Sequence, residues 1–206
     1  MMSNNGAAGN RVEIGARVPR SARPVLSWLA LRLLALLGWR LDVHLPDEPK
    51  LVVLAAPHTS NWDGFFAILA MLAMDLRLGL FVKHTAFDTV LGGLLRKLDA
   101  IPIDRTAASG LVTQTVDAFN TRPQLMIGLA PEGTRHLVKK WKRGFYLIAQ
   151  GAQVPIICAY VDYGQKTIGS GLCLKPTGDY ANDLASIQAF YRTITPKCPE
   201  RFSAAG

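Results

Sequence analysis

His58 and Asp63 close the two ends of the run His-Thr-Ser-Asn-Trp-Asp. A neutral imidazole takes a proton from a hydroxyl through one ring nitrogen. A carboxylate facing the other ring N–H steadies the imidazolium as it forms. Such a pair makes an alcohol nucleophilic without a serine or cysteine intermediate. Further along stands Pro131-Glu-Gly-Thr-Arg135. Gly133 permits a tight turn and close backbone approach. Thr134 offers a hydroxyl, and Arg135 a planar fork for bidentate phosphate contact. Together the two runs describe an enzyme that activates a hydroxyl while holding an anionic headgroup.

Structural readings compete with these. Ser60-Asn-Trp-Asp63 has the form of a capping box, in which Asp63 satisfies backbone donors in a first helical turn. His58 is equally open to a reading as a satisfied polar group. Ser60 is a rival nucleophile, but no G-x-S-x-G elbow surrounds it. Two more cations, Lys83 and Arg105, end or follow apolar strands as Arg135 does, and Asp104 is placed to pair with Arg105 or Arg135. On a parallel sheet the three strand ends would share one edge, near His58. The basic run Lys139-Lys-Trp-Lys-Arg143 reads as a solvated loop, or as a contact for anionic lipid or an acidic carrier. His44, on an alternating strand, reads as solvent-facing and inert; His84 and His136 receive no role.

The elements that must position these residues are read from periodicity. Strands are expected at Leu41–Leu45, Lys50–Ala55, Leu78–Val82, Ala100–Ile103, Gln124–Leu129, Val154–Tyr160 and Thr167–Leu174. Helices are expected at Val25–Gly38, Asn61–Asp75, Phe87–Leu98, Ala107–Asn120, Gly144–Gly151 and Asn182–Ile194, the last with Asn182 as N-cap. Alternation of strand and helix predicts a single α/β domain, its mostly parallel or mixed sheet flanked by helices. His58 then sits at a strand-to-helix junction, where α/β proteins commonly build sites.

The chain has 206 residues, enough for one domain with a sizeable core. Half its residues are hydrophobic (50%) and 18% are charged, an apolar balance that points to contact with lipid or a partner. The net charge of +8 draws anionic lipid, acidic carriers or nucleic acid. Nucleic acid ranks low, since no recognised motif or long basic run is present. Cys158, Cys173 and Cys198 show no C-x-x-C spacing and read as reduced thiols of a cytosolic protein, with no metal site. Residues 1 to about 20 are rich in Asn, Gly, Ala and Arg and are expected to be disordered. Val25–Trp39 follows four arginines and resembles a signal peptide without its cleavage site. The stretch falls short of the ~20 residues that span a bilayer, and Arg32 interrupts it. It reads either as a helix buried on the domain or as an interfacial anchor, with Trp28 and Trp39 near the headgroups.

These motifs resemble the glycerolipid acyltransferases of the lysophosphatidic-acid acyltransferase type, which share an H-x4-D signature. HTSNWD at 58–63, AIPIDR at 100–105, PEGTR at 131–135 and VPII at 154–157 match that family's four blocks in order. Trp141-Lys-Arg-Gly144 is similar to its aromatic-Lys-x-Gly, and Lys83 to a lysine between its first two blocks. Asp99-Ala100 departs from its usual glycine. The resemblance implies transfer of a fatty acyl group from acyl-CoA or acyl carrier protein to a lyso-lipid hydroxyl, typically of 1-acylglycerol 3-phosphate. It implies His58 as base and Asp63 as its orienter. It implies Arg105, Gly133, Thr134 and Arg135 as the phosphate grip, Glu132 as a positioner of the acceptor's polar groups, and Lys83 in the same pocket. It implies no metal and no bound cofactor, and a peripheral or monotopic place on the cytoplasmic face of the membrane. The expected organisation is a disordered basic tail at 1–22, an interfacial helix at 23–39 and an acyltransferase domain at 40–206. A thioester hydrolase, a noncatalytic membrane-binding module and an acyltransferase for another lyso-lipid remain as alternatives.

Overall fold

The computed structural model describes residues 9–79, 81–83, 85, 88, 101–103 and 110–204, with Val82, Lys83, Pro102 and Ile103 described in their backbone alone. The central strands are runs of aliphatic residues, as strands buried on both faces must be. Such strands are β3 (Lys50–Ala55), β6 (Leu125–Leu129) and β7 (Ile156–Asp162); β1 (Arg11–Ile14), β2 (Arg40–Leu45) and β8 (Thr167–Leu174), which carry polar residues between apolar ones, join them. They form one six-stranded sheet in the order β1-β2-β8-β7-β3-β6. Strand β3 runs parallel to both neighbours, β6 and β7, while β7 and β8 are antiparallel. The sheet is therefore mixed, its two halves running in opposite directions. β4 (Phe81–Lys83) and β5 (Ile101–Ile103) pair in parallel as a separate ribbon. Gly79 alone bridges to Ile127 of the main sheet, so the strand expected at Leu78–Val82 starts later and stands apart. The helix expected at Phe87–Leu98 lies outside the described residues.

Helices α1 (Pro24–Leu36) and α2 (Asn61–Ala73) lie on one side of the sheet, and α3 (Gly110–Thr121), α4 (Gly144–Ala152) and α5 (Tyr180–Tyr191) on the other. Strand alternation divides the core between them. Val52, Leu54, Ile127 and Ile156 pack against Phe119, Tyr146, Ile148 and Ile187. Leu51, Met126 and Ile157 face the opposite way, with Val43 and Leu76. Tyr191, fully buried on α5, donates its hydroxyl to the carbonyl of Leu54 and, at 3.2 Å, to that of Ala159, which ties the ends of β3 and β7 together. α5 begins two residues before the expected N-cap: Asp179 accepts from the N–H groups of Ala181 and Asn182, so Asn182 is inside the helix.

Two differences concern the N-terminal segment. Arg11–Ile14, within the stretch expected to be disordered, forms edge strand β1 parallel to β2. Its Arg-Val-Glu-Ile pattern alternates, and its charges are met: Arg11 pairs with Asp42 at 2.7 Å and Glu13 with the exposed His44 at 3.0 Å. Arg17 binds Asp47, and Arg20 donates to the Met74 carbonyl at 2.6 Å, so these arginines have protein partners. α1, in turn, packs on the domain through one face and turns an apolar face outward. Pro24 starts it, and Gly38, at a positive φ of 74°, ends it while the Trp39 N–H reaches back to Leu34. Ala30 and Leu34 are buried in a cluster with Trp39, Phe66 and Leu69, so α1 shares a core with α2. Its other face leaves Val25, Trp28, Leu29, Leu33 and Leu36 exposed. No helix among the described residues is long and apolar enough to cross a membrane.

Candidate active site

Strands β6, β3 and β7 are parallel neighbours, with Leu54 in register with both Leu129 and Cys158. Their carboxyl ends therefore share one edge of the sheet. The chain leaves β3 through Ala56-Pro57 into His58, leaves β6 through Ala130-Pro131 into Glu132, and leaves β7 directly into Tyr163. Three residues far apart in sequence meet there because the register brings the strand ends level.

Asp63 caps α2 and also faces His58. Its Oδ2 accepts from the N–H of Thr59 at 2.6 Å and of Ser60 at 2.7 Å, completing the capping box of α2. The same Oδ2 lies 3.9 Å from Nδ1 of His58. That separation is an ion-pair distance rather than a formed hydrogen bond. Oδ1 accepts the Tyr163 hydroxyl at 2.7 Å. The carboxylate is buried, while His58 keeps about a third of its side chain exposed. Burial pushes the His58 pKa below its ordinary value; Asp63 opposes this and the Arg135 guanidinium adds to it. This direction favours the neutral imidazole, the form that accepts a proton.

Glu132 connects the two sequence motifs. Its Oε1 accepts the backbone N–H of His58 at 3.0 Å, and the residue is only 4% exposed. Its Oε2 is buried with no hydrogen-bond partner among the described residues. Burial raises the pKa of this carboxyl; the His58 N–H works against that rise, and nearby Asp63 adds to it. The resemblance implied a contact with the acceptor for Glu132. The structure gives it a hold on the loop after β3, as no spacing in the sequence foretold.

Gly133 follows with φ of 66°, and a Cβ there would come within 2.6 Å of the Lys142 side chain. Lys142, whose own N–H donates to the Pro131 carbonyl at 2.8 Å, folds over this turn. Lys142, the lysine of the Trp141-Lys-Arg-Gly144 run, therefore lies against the Glu-Gly-Thr-Arg turn. Thr134 is half-buried and Arg135 exposed. Trp141, in contrast, is no surface aromatic: it is buried against Tyr191 and Phe202, while Lys139, Lys140, Lys142 and Arg143 around it are exposed. Arg105 and Asp104 lie outside the described residues. Lys83 ends β4 in register with Ile103, and its side chain also lies outside the description. Among the described residues no three His, Cys, Asp or Glu side chains group as metal ligands. Cys158 is buried, its thiol pushed up to about 12 by that burial.

Beside His58 and Asp63 opens a cavity of about 310 Å³ between α2 and the sheet. It extends from Pro57 and His58 to Leu45 and Leu76, and its lining is almost wholly apolar. The space exists because residues facing it are small: Gly64 and Ala67 on α2, Ala55, Gly128, Ala159 and Gly169 on the strands. Each is unremarkable in sequence, and only strand order puts them opposite one another.

The acyltransferase family model matches residues 41–162, more than half of the chain. Among solved structures, the 1-acyl-sn-glycerophosphate (LPA) acyltransferase PlsC from Thermotoga maritima is similar in fold at 14% identity. Its TM-score is 0.55, with 82% of this chain and 77% of that one covered. No curated protein sequence matches the chain significantly.

Proposed function

Because this chain belongs to the acyltransferase family, we propose that it moves a fatty acyl group from acyl-CoA or acyl carrier protein to a lysophospholipid hydroxyl. The proposed acceptor is 1-acylglycerol 3-phosphate and the product phosphatidic acid, in keeping with the activity named for the Thermotoga maritima structure. The observation that carries the reading is the place of His58, with Asp63 beside it, at one end of an apolar cavity. Its volume of about 310 Å³ falls at the lower end of ligand pockets, roughly 300–1,000 Å³. The cavity takes the acyl chain and leaves the thioester carbonyl beside the imidazole.

In this reading His58 keeps its Nδ1 proton toward Asp63 and takes the acceptor's hydroxyl proton on Nε2. The oxygen attacks the thioester carbonyl, a new C–O bond forms, and the C–S bond breaks. His58 returns the proton to the departing thiolate. Asp63 balances the imidazolium that exists in between. The Gly133–Arg135 turn, with Lys142 folded over it, holds the acceptor phosphate, and Arg105 and Lys83 belong to the same grip.

The protein acts as a peripheral or monotopic enzyme on the cytoplasmic face of a membrane. In support, α1 turns an apolar face outward, and α2, packed against it, exposes Trp62, Phe65 and Ile68. Arg23, Arg32 and Lys197 are exposed cations of this region, Arg32 lying 5.3 Å from the Trp28 ring and Lys197 4.7 Å from that of Trp62.

The test is to incubate the purified protein with mixed acyl-CoA and acyl carrier protein donors and a panel of lyso-lipids, then to read products by mass spectrometry. Phosphatidic acid formed in preference to other esters supports the reading. Ester on a different lyso-lipid transfers the activity to that acceptor. Free fatty acid alone makes the protein a hydrolase, and no product makes it a binding module.

A further inference from the structure

The structure assigns to Tyr163 a positioning role: its hydroxyl locks the rotation of the Asp63 carboxylate so that Oδ2 stays directed at His58. The inference rests on the acyl-transfer reading above and extends it to a residue outside the motifs. Two backbone N–H groups, of Thr59 and Ser60, hold Oδ2. They alone leave the carboxylate free to turn about Oδ2, which would swing its charge away from the imidazole. Oδ1 is met by the Tyr163 hydroxyl, its sole hydrogen-bond donor among the described residues. Three donors on two oxygens define the plane of the group.

Tyr163 is itself well fixed. It directly follows β7, and its N–H donates to the Thr195 carbonyl at 2.9 Å. Its ring stands edge-on to Trp39, 5.2 Å between centroids, and to Phe66 at 6.1 Å. The Lys197 ammonium lies 4.7 Å from the Trp62 ring and 5.7 Å from that of Tyr163. The C-terminal segment also reaches the catalytic loop directly, through the Cys198 N–H on the Thr59 hydroxyl at 3.3 Å. Burial, then the bond to Asp63, raises the Tyr163 pKa, so the phenol stays protonated and remains a donor.

Tyr163→Phe in the full chain removes the hydroxyl and keeps the ring. We expect kcat to fall about tenfold, the scale of losing a hydrogen bond to a charged group, with KM for donor and acceptor unchanged. In an Asp63→Asn background the same substitution should lower kcat less than twofold, because the group it positions has lost its charge. Equal losses in both backgrounds, or a loss confined to KM, overturn the inference. So does an unchanged kcat. Meta-fluorotyrosine at position 163 keeps ring and hydroxyl and guards against an unfolded variant. Its fluorine resonance should shift on Asp63→Asn, and an unmoved resonance also overturns the inference. Absence of acyl transfer by the wild-type chain would defeat the parent reading instead, and the fluorine measurement still tests the contact.

Discussion

Glu132 Oε1 accepts the backbone N–H of His58 at 3.0 Å, so the turn after β6 holds the loop after β3. The two motifs are therefore one unit: the segment proposed to grip phosphate also places His58, the proposed base. The cost is a buried carboxyl whose pKa is raised by desolvation, opposed by the His58 N–H.

That cost gives a stability prediction. An acid whose folded pKa exceeds its unfolded one favours the fold while it is protonated, at pH below its ordinary value of 4.5. This contribution is lost as pH rises through the folded pKa. Glu132→Gln keeps an acceptor oxygen without the charge. It should melt at or above the wild-type temperature at pH 8, and the difference should shrink below pH 4.5. Glu132→Ala, which strands the His58 N–H, should lose about 1–3 kcal/mol. Thermal melts across pH decide; a Gln variant markedly less stable at pH 8 contradicts the arrangement.

His58→Ala should lower turnover ~100-fold or more while leaving acceptor affinity nearly unchanged, the usual scale for a positioned base. Since burial lowers the His58 pKa, the acid limb of the kcat/KM profile should have its midpoint below the ordinary 6.5. A midpoint at or above that value assigns the ionisation to a different group.

The turn after Glu132 should be intolerant at one position and selective at another. Gly133→Ala imposes a side chain at φ of 66° and pushes on Lys142. Activity should fall sharply even where the melting temperature changes by little. Arg135→Ala should chiefly raise the acceptor KM, and Arg135→Lys should not restore it, because an ammonium lacks the bidentate fork. A rise confined to the donor KM would place Arg135 on the donor instead.

Membrane binding is best tested by substitution, since deleting α1 would open the cluster that Leu34 and Trp39 share with Phe66. Val25, Leu29 and Leu36 are exposed and can become Ser without disturbing that core. Each such side chain contributes roughly 1.5–3 kcal/mol when fully buried in an apolar phase. The triple variant should stay folded and lose most of its affinity for liposomes. Wild-type binding should strengthen with anionic lipid and weaken, without vanishing, in high salt. Unchanged liposome affinity in the triple variant would end the anchor reading.

What the sequence determined by itself is local. Hydrophobic periodicity located most strands and helices, because period is a property of neighbouring residues. The capping box of α2 was legible because Ser60 and Asp63 lie within one turn. The strand Arg11–Ile14 was missed because four alternating residues amid Gly, Asn and Arg stay extended only with β2 beside them. The Gly133 turn was legible because left-handed backbone favours glycine. Tertiary structure decided what depends on register between strands distant in the chain. Tyr163 and Asp63 are a hundred residues apart, and Glu132 and His58 are 74 apart. The cavity, too, depends on small residues from four strands and a helix coming to face one another. The sequence singled out His58 and Asp63; the parallel packing of β6, β3 and β7 brought Glu132 and Tyr163 up against them.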